Sequence, residues 1–383
     1  MRTLSDIDVR GKAVLLRVDF NVDVEGGVVA DDFRIRAALP TIYYLRERDA
    51  RVLVLAHLGR PKGAFDPALS LRPVAQHLGK LLKTQVHFFA TMQEARRGMQ
   101  ALHDGEIGML ENLRFHAGEE EGSAEFAKEL AALGEVYVND AFGVAHRKHA
   151  SVYELPKLLP SAAGLLLEKE VSTFQGLRES PQQPLVFILG GAKVATKIKV
   201  VGKLVGGVSA VCFGGLIANS FLAAKGVTMG KSLYEKGITE YIKGISVTDV
   251  NIHLPLDVVV STDMEGKAPT RVTGVGEVGE GEFILDIGPD TVALFASVMR
   301  EAGTVFWNGP MGLFEVKAFS RGTYEIARAL RDVPGKVIVG GGDVMRAIDE
   351  VGVADTVDYS STGGGAMLEF LAEGTLPGIE VLE

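Results

Sequence analysis

"LLLEKEVSTFQGLRESPQQP", residues 165–184, begins as an amphipathic helical pattern and runs into Ser180, Pro181 and Pro184. A new apolar run, "PLVFILG", begins at once. Proline cannot continue a helix, because its ring removes a backbone donor and clashes with the preceding turn. The stretch therefore reads as a connecting helix over 165–178, with one α/β domain over 1–164 and another beginning at 179. The length agrees. A chain of 383 residues exceeds what one compact core holds, so two domains of ordinary size are expected.

On both sides of that helix, short β-branched runs alternate with helical patterns, which is the signature of βαβ units and parallel sheets. Expected strands in the first half are "AVLLRVDF", "RVLVLAHL", "TQVHFFA", "IGMLE" and "EVYVND". In the second half they are "PLVFILG", "SAVCFG", "NIHLPLDVVV", "TVFWN" and "KVIVGG". Many are almost continuously apolar, as strands covered by helices on both faces must be. Helical patterns include "LRPVAQHLGKLL", "SAEFAKELAALG", "GTYEIARALRDV" and "VMRAIDEVG". The expected fold class is α/β, with two doubly wound, Rossmann-like parallel-sheet domains.

Composition narrows the function classes. With 47% hydrophobic and 23% charged residues and no apolar run of bilayer length, the chain reads as a soluble globular protein without a membrane partner. The opening "MRTLSDIDVRGK" carries charges but no apolar core of a signal peptide, so export is not expected. The single cysteine, Cys212, cannot form an internal disulfide; it reads as a small buried hydrophobe in a reduced, cytoplasmic setting. A net charge of -9 argues against nucleic-acid binding, which needs a basic face.

The unusual residues are not scattered. Almost every expected strand ends in Gly, Asn, Asp, His or Arg, where ligands of open parallel sheets bind. The first half is cationic there: Arg34, His57, Arg60, Arg114, His146 and Arg147. Arginine presents a planar fork that matches carboxylate and phosphate. Any one of these residues is more often half of a surface ion pair, and the two histidines could be satisfied core residues. Together they point to a phosphorylated acid. The second half is glycine-rich: Gly190 and Gly191, Gly214 and Gly215, Gly309, Gly340 to Gly342, and Gly363 to Gly365. A single glycine pair is as often a tight turn. Bare backbone N–H groups at a helix start also make an anion site. "GGAKVATKIKVVGK" adds Lys193, Lys197, Lys199 and Lys203, a solvated helix face or a phosphate pocket; Lys193 and Lys197 are expected on one helical face.

Two tempting motifs fail their context. "GVGEVG", 274–279, matches a dinucleotide fingerprint but precedes a strand-like run instead of a helix. "GVTMGKS", 226–232, is one residue too short for a Walker phosphate loop and follows no convincing strand.

In order along the chain, "RVDFNV", "FRIRAALPTI", "HLGRP", "ENLRF", "NDAFGVAHRKHAS", "GGAKVATKI", "VFWNGPMGLFE", "GGGD" and "STGGGAMLEFL" with its later "LPG" resemble the motifs of phosphoglycerate kinase. The resemblance spans Arg17 to Gly378. It implies a two-domain, hinge-bending glycolytic enzyme, expected to be monomeric. Such an enzyme moves a phosphoryl group reversibly and in line between 1,3-bisphosphoglycerate with ADP and 3-phosphoglycerate with ATP, using Mg2+. By motif position, Asp19, Asn21, Arg34, His57, Arg60, Arg114 and Arg147 would hold the phosphoglycerate. The nucleotide and its metal would meet Gly191, Lys193, Lys197, Gly214, Gly215, Asn308, Pro310, Glu315, Gly340, Gly341, Gly342, Asp343 and Val344, with Asp343 nearest the metal. Arg34, Lys197, Gly363, Gly364 and Gly365 would act on the transferring group. The domains would be a substrate domain over 1–164 and a nucleotide domain over 179–365, with 366–383 packing back on the first.

The sequence departs from the family pattern in places. Asp23 replaces a proline after "RVDFNV", "KVATK" stands for "KVSDK", and Val144 and Val344 stand where hydroxyl residues are common. Two rivals stay open at this level, another small-acid kinase and a nucleotide-binding sensor without turnover.

Overall fold

The computed structural model describes residues 1–204, 207–237 and 251–382. The chain divides into two compact units, one of Met1–Thr173 with Thr375–Glu383 and one of Phe174–Gly374.

The first unit is built on a six-stranded sheet. Its strands are β1 (Ala13–Val18), β2 (Arg51–Leu55), β3 (Val86–Phe89), β4 (Ile107–Leu110), β5 (Val136–Asp140) and β6 (Ser161–Ala163). They lie in the order β3-β4-β2-β1-β5-β6, and every pair is parallel. The sheet therefore grows outward from β1 in both directions, which makes the end of β1 the topological switch point where ligands of such sheets bind. All six residues of β1 are buried, Arg17 among its apolar neighbours included. Helix α1 (Phe33–Arg46) sends Ile35, Ala38, Ile42 and Leu45 into this core, the i, i+3, i+7, i+10 spacing of one helical face.

The second unit repeats the plan. Strands β7 (Leu185–Leu189), β8 (Ala210–Phe213), β9 (Asn251–His253), β13 (Thr304–Asn308), β14 (Lys336–Gly340) and β15 (Tyr359–Ser361) form a parallel sheet in the order β9-β8-β7-β13-β14-β15. Here the switch point follows β7. Trp307, Phe187, Phe306 and Phe295 are fully buried, each worth about 1.5–3 kcal/mol of apolar transfer. Cys212 is fully buried in β8, as expected of a small hydrophobe.

The expected strand "NIHLPLDVVV" is two strands in different sheets. Asn251–His253 ends the parallel sheet as β9. Asp257–Ser261 is β10, the centre of an antiparallel sheet with β11 (Thr270–Gly274) and β12 (Phe283–Ile287). Pro255 stands in the break, where it has no N–H for a ladder. "GVGEVG" straddles the end of β11 and a turn before β12, with no helix after it, so its rejection as a dinucleotide loop holds. "GVTMGKS" likewise follows a helix, α4 (Gly215–Ala224), and no strand.

The connecting helix is α2, Leu165–Glu179. Its first turn is capped by Asp140 at the end of β5, whose Oδ1 accepts from the N–H groups of Leu166 and Leu167 at 3.0 Å each. The expected terminal segment is divided. Helix α6 (Gly365–Glu373) belongs to the second unit, where Arg178 donates to the carbonyl of Phe370 at 3.1 Å. Only Thr375 onward is grouped with the first unit. There Gly378 N–H donates to Ala145 O at 2.8 Å and Arg2 N–H to Leu382 O at 2.7 Å. No helix among the described residues is long and apolar enough to cross a membrane.

Candidate active site

In the first unit, four parallel strands bring their carboxyl ends to one edge of the sheet. Asp19 follows β1, His57 follows β2, Arg114 follows β4 and Arg147 lies beyond β5. Asp19 is the hub. Its Oδ1 lies 3.9 Å from both Arg34 Nη1 and His57 Nε2, and accepts from the Asn21 N–H at 3.3 Å. Arg34, in the first turn of α1, also donates to the Asn21 carbonyl at 2.6 Å. The Asn21 side chain accepts from Gly59 N–H at 2.8 Å, and Arg114 donates to Gly59 O at 2.8 Å. Asp19, Asn21, Arg34, His57 and Arg114 are thus held in one lattice. Arg60 and Arg147 are exposed on the loops after β2 and β5.

Electrostatics follow from that crowding. His57 is buried among cations, so desolvation first, then Arg17, Arg114, His149 and Arg34, push its pKa well below the ordinary histidine value. It is neutral at pH 7. Burial likewise lowers Arg114, which stays protonated because arginine starts so high.

In the second unit, the loop after β7 carries Gly190 and Gly191, followed by Lys193 and helix α3 (Val194–Leu204). Lys197 is 4% exposed and its ammonium donates to the Gly190 carbonyl. Burial, and then the charge of Lys193, lower its pKa to about 8, against a raising pull from Asp343. A Cβ on Gly309 would stand 2.6 Å from Lys197 Nζ and 2.5 Å from Gly190 O, so that position must be glycine. Lys193 stands one residue before the helix, and its carbonyl accepts from the Lys197 N–H at 3.3 Å. It precedes the helix with φ +62°, a left-handed conformation rare for a residue with a Cβ and one that costs about 1–3 kcal/mol. That bend carries its ammonium to 3.9 Å from where a Cβ on Gly365 would sit.

The glycine triplet opens α6. Gly364 has φ +45°, and a Cβ there would meet open space. Gly363 N–H donates to Ser361 Oγ at 3.0 Å. A second cluster stands at the start of α5 (Gly342–Val351), where Gly341 has φ +107° and Asp343 is half-exposed in the first turn. Asn308, at the end of β13, donates to Gly340 O at 2.6 Å. Beside these loops lies a cavity of about 320 Å3. Gly191, Gly215, Pro310, Glu315 and Asp343 border it, and Leu216, Phe283, Leu285 and Leu313 line it with apolar surface. A narrow anion cradle next to an apolar slot is what a nucleotide's phosphates and base require.

The model of the phosphoglycerate kinase family matches residues 4–374 of this chain. The chain belongs to the phosphoglycerate kinase family. It is 48% identical to the phosphoglycerate kinase of Moorella thermoacetica over 386 aligned positions, covering 99% of this chain and 98% of that one. The Rubrobacter xylanophilus phosphoglycerate kinase is 47% identical over 384 positions, covering 100% and 98%. Two solved structures carry the same fold. Phosphoglycerate kinase from Coxiella burnetii superposes with a TM-score of 0.85 at 39% identity, covering 99% of this chain and 98% of that one. The enzyme from Pyrococcus horikoshii OT3 reaches 0.87 at 33%, covering 100% and 98%.

Within this phosphoglycerate kinase fold, several expected site residues do other work with their side chains. Val344 is fully buried in the core of the second unit, so it offers only backbone to a ligand. Its place one residue after exposed Asp343 turns it inward. A Cβ on Gly340 would strike Met367 Sδ at 2.4 Å, and one on Gly214 would strike Met311 Sδ at 2.7 Å, which explains both glycines by packing. Lys199 pairs with Glu373 at 2.6 Å on the surface. Sequence reading overlooked Arg17, Glu119 and Ser151 beneath the cationic lattice. An arginine inside the apolar run "AVLLRV" was the available signal, because a charge in a buried strand must be paired. The apolar residues of the cavity carried no such signal.

Proposed function

We propose that this chain transfers a phosphoryl group reversibly between 1,3-bisphosphoglycerate with ADP and 3-phosphoglycerate with ATP, as a glycolytic, cytoplasmic and monomeric kinase whose acceptor is a carboxyl group. The observation that carries this reading is a cluster of cations in one unit and of glycines with lysines in the other, each at the carboxyl edge of its own parallel sheet.

Asp19, Asn21, Arg34, His57, Arg60, Arg114 and Arg147 hold the phosphoglycerate, with Asp19 and Asn21 also fixing the direction of Arg34, and Asp19 that of His57. The adenine and ribose occupy the apolar slot beside Gly191, Gly215, Pro310 and Glu315, with Asn308 and Gly340 to Gly342 shaping the phosphate end. In the direction of ATP use the nucleophile is a carboxylate, ionised at pH 7, so no general base is needed. The residues must instead align donor and acceptor and neutralise crowded negative charge. Lys197 and Arg34 do this with fixed positive charge. The N–H groups of Gly364 and Gly365 add donors that no side chain obstructs, while that of Gly363 is bonded to Ser361 Oγ. Asp343 is a half-exposed oxygen donor. It suits Mg2+, which binds through one or two carboxylates and the substrate's phosphates. Bound there, Mg2+ would neutralise phosphate charge.

Because the acceptor and nucleotide half-sites stand in separate units, transfer includes a hinge-bending closure. Small-angle scattering checks this: both ligands together should compact the protein, and an unchanged radius of gyration would argue against closure. The reaction itself is decided by a coupled assay with 3-phosphoglycerate and MgATP. Turnover well above background is expected. Folded protein that binds ADP without turnover would make it a sensor, and turnover with another acid alone would make it a different kinase.

A further inference from the structure

Beneath the cationic lattice lies a set of charged groups that the reaction, as derived above, does not use. Arg17, next to the last residue of β1, and Glu119, in the short helix Ala117–Glu120, are both fully buried. Glu119 Oε1 accepts from Ser151 Oγ at 2.6 Å, and Oε2 accepts from Ser151 N–H at 2.9 Å. Arg17 Nε donates to the same Ser151 Oγ at 2.7 Å, and Arg17 Nη2 lies 3.6 Å from Glu119 Oε1. Arg17 Nη1 donates to Val18 O at 2.5 Å. The guanidinium is therefore fixed on three sides. Its remaining reach is toward His57, whose Nδ1 is 3.3 Å from Nη2.

Arginine has only donors. His57 Nδ1 can meet it only as an acceptor, so the proton of the neutral imidazole sits on Nε2, the nitrogen that faces Asp19 Oδ1 at 3.9 Å. The groups around the ring pull in both directions on a second proton, with burial and the arginines against it. Burial disfavours a second proton most strongly, and Arg17, Arg114 and Arg34 add to it. Asp19 alone would favour it. His149 is itself pushed down to about 3 by burial and then by Arg17, Arg114 and Arg147, so it adds no cation.

We propose that Glu119 is a positioning residue of the acceptor half-site: acting through Ser151 and Arg17, it holds His57 as the neutral tautomer with its proton on Nε2, aimed at the bound acid. His57 then serves as a directed N–H donor, and the charge at this edge comes from the arginines. The inference rests on the proposed reaction for its functional consequence, but not for its chemistry.

Two readouts test it. In full-length wild-type protein labelled with 15N at histidine, His57 should show a single Nε2–H tautomer, unchanged from pH 6 to 8 and without any ligand. A His57 that is protonated at pH 7, or protonated on Nδ1, overturns the proposal whatever the enzyme's activity. In Glu119→Gln the Nε2–H signature should be lost or mixed. KM for 3-phosphoglycerate should rise about tenfold, the size of one lost hydrogen bond in a charged setting, with KM for ATP unchanged. Ser151→Ala keeps both charges and should give a smaller rise of the same kind, so the idea stays testable should Glu119→Gln not fold. A variant that keeps both the single tautomer and the wild-type KM refutes the role of Glu119. Wild-type protein with the expected tautomer but no turnover of 3-phosphoglycerate would refute the proposed reaction and leave the relay standing.

Discussion

On the proposed reading, the two half-sites meet the same problem, an anion to be held, by opposite means. In the first unit, charged and amide side chains do the holding: Asp19 orients Arg34 and His57, Asn21 ties Arg34 to Gly59, and Arg114 closes on the same glycine. In the second, backbone does most of the holding. Lys197 leans on the Gly190 carbonyl, Gly309 is bare to make room for it, and Gly364 and Gly365 keep a helix start open. The difference teaches what each ligand demands. A small acid that must not turn needs donors fixed from several directions. A phosphoryl group in transit needs closeness, which only glycine permits.

The cations differ as well. Arginine stays charged at any accessible pH, while buried Lys197, lowered to about 8, can be titrated. The glycine side of the comparison should therefore be the pH-sensitive one.

The largest expected effect comes from Lys197→Ala, which should cost about 3–4 kcal/mol in kcat, the scale of one lost oxyanion-type donor. Near-normal turnover would sink its role. Arg34→Ala should cost about 1.5–3 kcal/mol in kcat/KM, the worth of a hydrogen bond to a charged group, with KM for the acid rising and KM for ATP steady. If the nucleotide KM moved more, the division of labour between the units would be broken.

Gly365→Ala sharpens the comparison further. A methyl there meets no protein atom nearer than Lys193 Nζ at 3.9 Å, so Tm should barely change. Turnover should still fall about tenfold, as a misplaced group near the reacting centre predicts. Equal losses in Tm and turnover would mean the triplet is only a turn.

Turnover should also fall as pH rises past about 8, when Lys197 loses its proton. Its folded pKa lies below the unfolded one, so the unfolded chain binds more protons between about 8 and the usual lysine value of about 10.4. Stability from this group therefore rises with pH in the window where activity falls, and Lys197→Met should remove both trends.

The smallest effect is one the units share. Asp140 caps α2 in the first, and Asp286 accepts from Gly322 N–H at 2.7 Å in the second. Burial raises each to about 7. A raised carboxyl favours the fold below its unfolded pKa of about 3.9 and loses that advantage as pH climbs through 7. Asp140→Asn and Asp286→Asn should each flatten the fall in stability between about pH 4 and 7 in denaturant titrations. A slope equal to wild type would show that the carboxyl stays ionised.

Much of this architecture was legible in the chain because its causes are local. A continuous apolar run makes a covered strand, prolines at 181 and 184 end a helix, and glycines or arginines just past a strand fall at the sheet's binding edge. Nine short motifs in order likewise pointed to the family. Their spacing could not tell which residues turn inward. Val344 looked like a ligand position and is core, while Gly340 and Gly214 are bare because of Met367 and Met311, far off in sequence.

What the sequence by itself determined is the alternation of strand and helix, the place of the break, and the kinds of charge at each strand end. Only the tertiary structure decided that "NIHLPLDVVV" belongs to two sheets, that Lys193 takes a left-handed conformation just before its helix, and that Glu119 reaches Arg17 through Ser151. The reason is physical. Periodicity reports what a segment buries, whereas a partner across the fold is chosen by distance, desolvation and the pairing of charges, and none of these exists until the sheets have formed.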